Sequence, residues 1–263
     1  MNYYTIKPNN KLADIVRCFW VFEGVASEEN PYIHRTLASG FPELLFHYQG
    51  IFEELKSEKP EKSFFAGVHG QTNQFSRFII KEKFGIFGVQ LYPYALSTLF
   101  SISAAEFTNK QPQLLSFIKE SEIEEKMLSA INNTERLYTI TSFLENKRQN
   151  LPNVELTHIV NEIINKNGIV NVKELSEKCF LSHRQFERKF KAQIGFSAKT
   201  FSKLIRFNAV LKKSDSLSPS LTEMAYSFGY YDQSHFIQDF KQFSGYTPRQ
   251  FFSQCADELS WNY

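Results

Sequence analysis

Phe186-Glu-Arg-Lys-Phe190-Lys191-Ala-Gln-Ile-Gly195-Phe196-Ser197-Ala-Lys-Thr-Phe201 decides the fold of the second half, because the same pattern returns fifty residues later. The second copy is Phe236-Ile-Gln-Asp-Phe240-Lys241-Gln-Phe-Ser-Gly245-Tyr246-Thr247-Pro-Arg-Gln-Phe251, and both read F-x-x-x-F-K-x-x-x-G-[FY]-[ST]-x-x-x-F. Apolar groups at i and i+4 give a helix one buried face. A glycine able to take positive φ ends that helix, and a hydroxyl caps the next. The same solution used twice implies two copies of one supersecondary unit.

The flanks say which unit. In the first copy Asn171 and Glu174 can open a short helix with Val172 and Leu175 inside, and Cys179–Phe180–Leu181 separate it from Ser182. Ser182 with Gln185 forms a second capping box, opening the helix of Phe186, Phe190 and Ile194. In the second copy Ser220 and Glu223 form the cap, Leu221, Met224 and Ala225 face inward, Gly229 makes the turn, and Asp232 opens the Phe236/Phe240/Phe243 helix. A short helix, a tight turn and a second helix with a buried stripe make a helix-turn-helix.

Between the units, Ser197 to Ser214 reads as a longer helix with Phe201, Leu204, Ile205 and Leu211 on one side. Ahead of both, Leu156, Ile159, Val160, Ile163 and Ile164 recur at helical spacing before Gly168. Thr247-Pro248-Arg249-Gln250 starts a last helix with a cap and proline at its first position. Seven helices are predicted from Pro152 to about Cys255.

The first half has a different grain. Short apolar runs at Ile15–Phe22, Glu43–Tyr48, Phe75–Ile80 and Phe84–Leu91 lie between glycine and proline signals and read as strands. Leu137, Ile140, Phe143 and Leu144 then predict one or two amphipathic helices within 113–148, a face that either packs inward or dimerises. The polar run 147–150 is the expected boundary. The fold class is thus α+β with two domains: a β-rich domain over 1–150 with closing helices, and an all-α domain over 151–255 with two helix-turn-helix units.

Composition narrows the function. Of the 263 residues, 42% are hydrophobic and 22% charged, which is the make-up of a chain with packed cores rather than a disordered one. Cys18, Cys179 and Cys255 are distant and unpaired in sequence, fitting a reducing cytoplasm rather than a disulfide framework. Lys83 to Glu106 encloses no charge, but its glycines, Gln90 and Pro93 favour a buried strand and short helix over a membrane span. His34, His47 and His69 lack HxH or HxxxH spacing, and no GxSxG, Walker or GxGxxG motif occurs. No metal site, cofactor or enzymatic activity is therefore expected. The charge is unevenly spread: residues 1–149 carry a net −1 and residues 150–263 a net +3, with nine basic residues and one acid between Ser182 and Lys213. A polyanion-binding surface has that concentration.

The run from Leu221 to Pro248, Leu221-Thr-Glu-Met-Ala225-Tyr-Ser-Phe-Gly229-Tyr-Tyr-Asp232-Gln-Ser-His-Phe236-Ile-Gln-Asp-Phe240-Lys241-Gln-Phe-Ser-Gly245-Tyr-Thr-Pro248, closely resembles the C-terminal signature of the AraC/XylS transcription regulators. The resemblance spans roughly 154–252. It departs from the family where Gln238 replaces a usually basic residue and Asp239 is acidic. Val16-Arg17-Cys18-Phe19-Trp20, Gly40-Phe41-Pro42-Glu43-Leu44-Leu45-Phe46-His47 and Gly88-Val89-Gln90-Leu91-Tyr92-Pro93 resemble an uncharacterised domain heading one subgroup of these regulators. Ser39 stands where that pattern often has an acid and Gln90 where it often has an arginine. The resemblance implies a sensing or dimerising first domain, with Trp20, Glu43, His47, Gln90 and Tyr92 as effector-binding candidates. Double-stranded DNA, a small-molecule effector, RNA polymerase and a second copy are the partners it brings into view.

In a helix-turn-helix the outward face of the second helix enters the major groove, where side chains read base edges. Those positions are His183, Arg184, Glu187, Arg188 and Lys191 in the first copy, and Gln233, Ser234, Ile237 and Gln238 in the second. Arg184, Glu187 and Arg188 are the principal expected readers, with His183, Gln233, Ser234 and Gln238 beside them. Ser182, Ser197 and Thr247 at helix starts, with Lys191, Lys199, Lys203 and Lys241, are expected phosphate contacts, while Asp232 would repel phosphate. The first unit should carry most of the specificity. A protein-interaction module with the same fold and weak or no specific DNA binding is the alternative, supported by the weak charge of the second unit.

Overall fold

The computed structural model describes residues 1–56, 60–118, 122–148, 153–213 and 220–253. The first half contains β1 (Asn2–Ile6), β2 (Val16–Gly24), β3 (Tyr32–Thr36), β4 (Glu43–Gln49), β5 (Glu53–Glu54), β6 (Glu61–Lys62), β7 (Ala66–His69), β8 (Ser76–Ile80) and β9 (Phe84–Leu91). They pair antiparallel into two sheets, β1-β2-β9-β4-β7 and β3-β8-β5-β6. Strand β9 has a neighbour on each side, and all its residues but Gln90 are buried, which is why Phe84–Leu91 reads as an unbroken apolar run. All four sequence-predicted strand runs are strands to within two residues of their ends.

The uncharged stretch after Lys83 is β9 followed by α1 (Ala95–Phe100), as its breakers indicated. Helices α2 (Glu122–Ser129) and α3 (Asn133–Lys147) close the domain, burying Ile123 and Met127 from one and Ile140 and Leu144 from the other. The apolar stripe suggested as a dimer surface is thus packed inward.

The seven expected helices of the second half are α4 (Val154–Asn165), α5 (Val172–Lys178), α6 (His183–Ile194), α7 (Ala198–Lys213), α8 (Leu221–Ser227), α9 (Gln233–Ser244) and α10 (Pro248–Phe252). The expected caps form: Asn171, Ser182, Ser220, Asp232 and Thr247 each accept a backbone N–H, and Ser182, Ser220 and Thr247 complete capping boxes. Ser197 accepts the N–H of Thr200 at the start of α7. Ser214, Cys255 and most of the 147–152 boundary lie outside the described residues. The buried apolar residues of both halves join in one cluster, with a smaller one around Phe22, Phe52, Phe78 and Phe84 between the sheets.

The two turns differ by one residue. In each unit an amide reaches back to the preceding helix five residues earlier, Leu181 to Ser176 and Tyr230 to Ala225. The residue before that amide is left-handed in both, but it is Gly229 in the second unit and Phe180, at φ 52°, in the first. Phe180 is 97% exposed and gains no burial for its strain. Phe180→Gly should therefore stabilise the fold by about 0.5–1 kcal/mol, the relief of left-handed strain less the greater entropy of unfolded glycine. Thermal unfolding should shift up by about 1–3 °C; an unchanged or lower midpoint would refute the strain.

Candidate nucleic-acid interface and inner cavity

Helix α6 buries Phe186, Phe190 and Ile194 and exposes Arg184, Arg188 and Lys191 on the opposite side. His183 is exposed at its first turn, and Glu187 lies half-buried on the flank. Gln185 faces out as well, but its side chain accepts the Ser182 N–H at 3.1 Å and is spent on the cap. Lys189, absent from the expected contacts, is also exposed; its signal was only its place in the basic run beside Arg188.

Helix α9 repeats this layout with different chemistry. Ser234 and Gln238 take the exposed places of Arg184 and Arg188, and Lys241 that of Lys191. Gln233 is half-buried and accepts from the Thr222 hydroxyl at 3.1 Å. Asp232 caps α9 and pairs with His235 at 3.1 Å, and these contacts hold its carboxyl below the usual range.

Asp239, beside the exposed Gln238, is buried and paired with Lys203 at 2.9 Å. The lysine expected on phosphate thus ties α7 to α9. Arg206, one turn further along α7, donates to Gly229 O at 2.9 Å and Gly168 O at 3.2 Å. Lys199 remains exposed at the start of α7 and Lys241 near the end of α9.

The far ends of both recognition helices rest on the first domain. Gln71 donates to Ile194 O at 3.0 Å, Thr108 to Gly195 O at 3.0 Å, and Ser103 to Ala192 O at 3.0 Å. At α9, Arg35 donates to Ser244 O at 3.2 Å and to the Tyr246 hydroxyl at 3.0 Å, and the Ala38 amide donates to Phe243 O at 2.9 Å. The capping glycines make room for this. A Cβ on Gly195 would lie 1.6 Å from the Gln71 amide nitrogen, and one on Gly245 would lie 2.5 Å from the Arg35 guanidinium. The N-terminal halves of both helices stay open to solvent, as groove reading requires.

Between the two sheets of the first domain is a cavity of about 1090 Å³. Trp20, Glu43, His47 and Gln90, expected from sequence, all line it, and Tyr92 does not: it stacks on Tyr94 at 5.6 Å. His34 and His69 line it too; burial lowers both to about 4, so they are neutral at pH 7. Arg35 and Phe75 line the same cavity and touch Gly245, so its wall and the seat of α9 share side chains.

Two family models match separate parts of the chain. Residues 175–254 match the model of a helix-turn-helix domain, and residues 4–113 match a domain of unknown function, DUF6597. No curated protein sequence matches the chain. Similar solved structures include ToxT from Vibrio cholerae, 11% identical over 99% of this chain and 100% of that one with a TM-score of 0.47. ToxT of Vibrio cholerae O395 is 11% identical over 89% and 97%, with a TM-score of 0.46. The C-terminal domain of AraT, a response regulator from Geobacillus stearothermophilus, is 20% identical over 38% of this chain and 85% of that one, with a TM-score of 0.36. Among the described residues no helix is long and apolar enough to cross a membrane.

Lys203→Ala would leave Asp239 buried without its cation. It should cost about 1–3 kcal/mol of stability, discounted from the fully buried case because Lys203 is partly exposed. The salt slope of DNA binding should not change. A stable variant whose slope falls by about one unit would return Lys203 to the phosphate contacts.

Proposed function

We propose that this chain, whose residues 175–254 form a helix-turn-helix domain of the AraC type, is a cytoplasmic, sequence-specific DNA-binding regulator of transcription. The observation that carries the reading is the open N-terminal half of α6, with Arg184 and Arg188 on one face above the capped helix start. Arginine pairs bidentately with guanine, and Glu187, half-buried on the flank beside them, is assigned to accept from cytosine. Exposed Lys191, Lys199 and Lys241 and the helix starts at Ser182, Ser197 and Thr247 are assigned to phosphate. Helix α9 offers Ser234 and Gln238 and reads more weakly.

The first domain, over roughly 1–150, is proposed to sense a small molecule in the cavity between its sheets. Shared side chains support this: Arg35 and Phe75 belong both to the cavity wall and to the seat of α9. A ligand pressing on that wall bears on a recognition helix without a longer relay. The lack of a basic residue at Ser234 and Gln238 on α9 favours a second reading, a protein-interaction module. The two differ in salt response, since phosphate contacts release counterions and apolar protein contacts do not.

Selection from a random duplex pool by the purified protein at two salt concentrations tests the function. The expected result is a long asymmetric motif, richest in the half read by α6, whose recovery falls steeply with salt. No enrichment at either salt, with or without candidate ligands, would reject the regulator reading. Arg184→Ala should cost about 1–3 kcal/mol in binding and relax one base position. Unaltered preference at every position would remove Arg184 from the readers.

A further inference from the structure

The cavity's lining can be read row by row from strand register. Residues directly opposite one another in antiparallel strands share a face. One row runs Gln90–Glu43–His69 and the next runs Trp20–Gly88–Leu45. The third holds Phe22, Ile86 and His47. All three rows face the second sheet, which contributes His34, Phe78 and Glu54. The gap at Gly88 is filled by the Trp20 indole, because a Cβ there would lie 2.0 Å from that ring. The indole therefore lies flat across the sheet beside the Glu43 carboxyl, with Tyr3 and Phe22 within about 6 Å of neighbouring rings.

Glu43 is the informative group. Gln90 donates to it at 3.0 Å, and the Trp20 side chain also hydrogen-bonds it. Both donors are neutral. The nearest cation, Arg17, is spent one step behind, donating to Gln90 Oε1 at 2.8 Å and lying 3.8 Å over the Phe41 ring. Among the described residues no lysine or arginine forms an ion pair with Glu43. Burial accordingly pushes its carboxyl up to about 7, outweighing the hydrogen bonds and Arg17. The carboxyl is at the cavity surface, desolvated, among aromatic rings and without a cationic partner.

We propose that the cavity binds an organic cation, an ammonium group on an aromatic or alkyl body, with its charge against Glu43 and its body against the rings of Trp20, Tyr3 and Phe22. The assignment rests on the reading of this cavity as a ligand site. Aromatic faces attract ammonium groups, and more strongly when water is excluded. The basic groups that also line the cavity do not reverse this preference. Arg77, Lys62 and Lys110 are exposed, where solvent screens them, and Lys56 is paired with Glu54 at 3.3 Å. Arg35 is buried, but its guanidinium is committed to Ser244 and Tyr246.

Three probes of one shape test the charge: 2-phenylethylamine, 2-phenylethanol and phenylacetate, titrated calorimetrically into the full chain. The amine should bind at least tenfold more tightly than either of the others. Glu43→Gln, which keeps the shape and removes the charge, should reduce amine affinity at least tenfold while leaving that of the alcohol unchanged. Tighter binding of the alcohol or the acid by the wild-type chain would overturn the cation assignment and keep the cavity as a ligand site. Binding of none of the three would overturn both. The wild-type comparison holds even if Glu43→Gln fails to fold.

Discussion

The structure depends on two glycines that each do two things. Gly195 and Gly245 end the recognition helices at φ 91° and 81°, a backbone region that favours glycine. The space where each would carry a Cβ is taken by the first domain, by Gln71 at one and by Arg35 with Phe75 at the other. A helix end leaves carbonyls without intrahelical partners. Here donors from the other half of the chain, the side chains of Gln71, Thr108, Ser103 and Arg35 and the Ala38 amide, supply them. Arg35 also sets a positive charge at the negative end of α9, where the helix dipole favours it. The same atoms therefore stop the helices and seat the domains.

This seating explains why the two recognition helices are presented alike although their surfaces differ. Their C-terminal ends are covered and their N-terminal halves are open. Between them α7 supplies a second set of ties, Lys203 to Asp239 and Arg206 to the turn carbonyls of Gly168 and Gly229. The two helices are thus tied from both sides, and Arg35 and Phe75 belong both to the cavity wall and to the seat of α9.

Much of this was legible in the sequence because it is local. A capping box needs residues three apart, a buried stripe needs i and i+4, and a buried strand is an apolar run, so Ser182, Phe186, Phe190 and Phe84–Leu91 announce themselves. The docking does not. Gln71 and Arg35 sit in strands and loops with no periodic mark, and nothing near Gly195 says that its missing side chain serves a distant glutamine. Lys203 and Asp239 are each an ordinary charge until α7 and α9 pack. The cavity was half legible: Trp20, Glu43, His47 and Gln90 converge because strand register aligns them. Tyr92 has the parity of Gln90 but lies past the end of β9, where its amide bonds Ile15 O and its ring turns to Tyr94.

The claim that the domains are seated through these two helix ends is tested most directly by calorimetric unfolding of the wild-type chain and of the Arg35→Ala/Gln71→Ala variant, which leaves both glycine caps intact. The wild-type chain should unfold in one cooperative transition, and the variant in two, as each domain melts by itself. A single transition in the variant at the wild-type temperature would mean that the domains are held by other contacts, and would contradict the account.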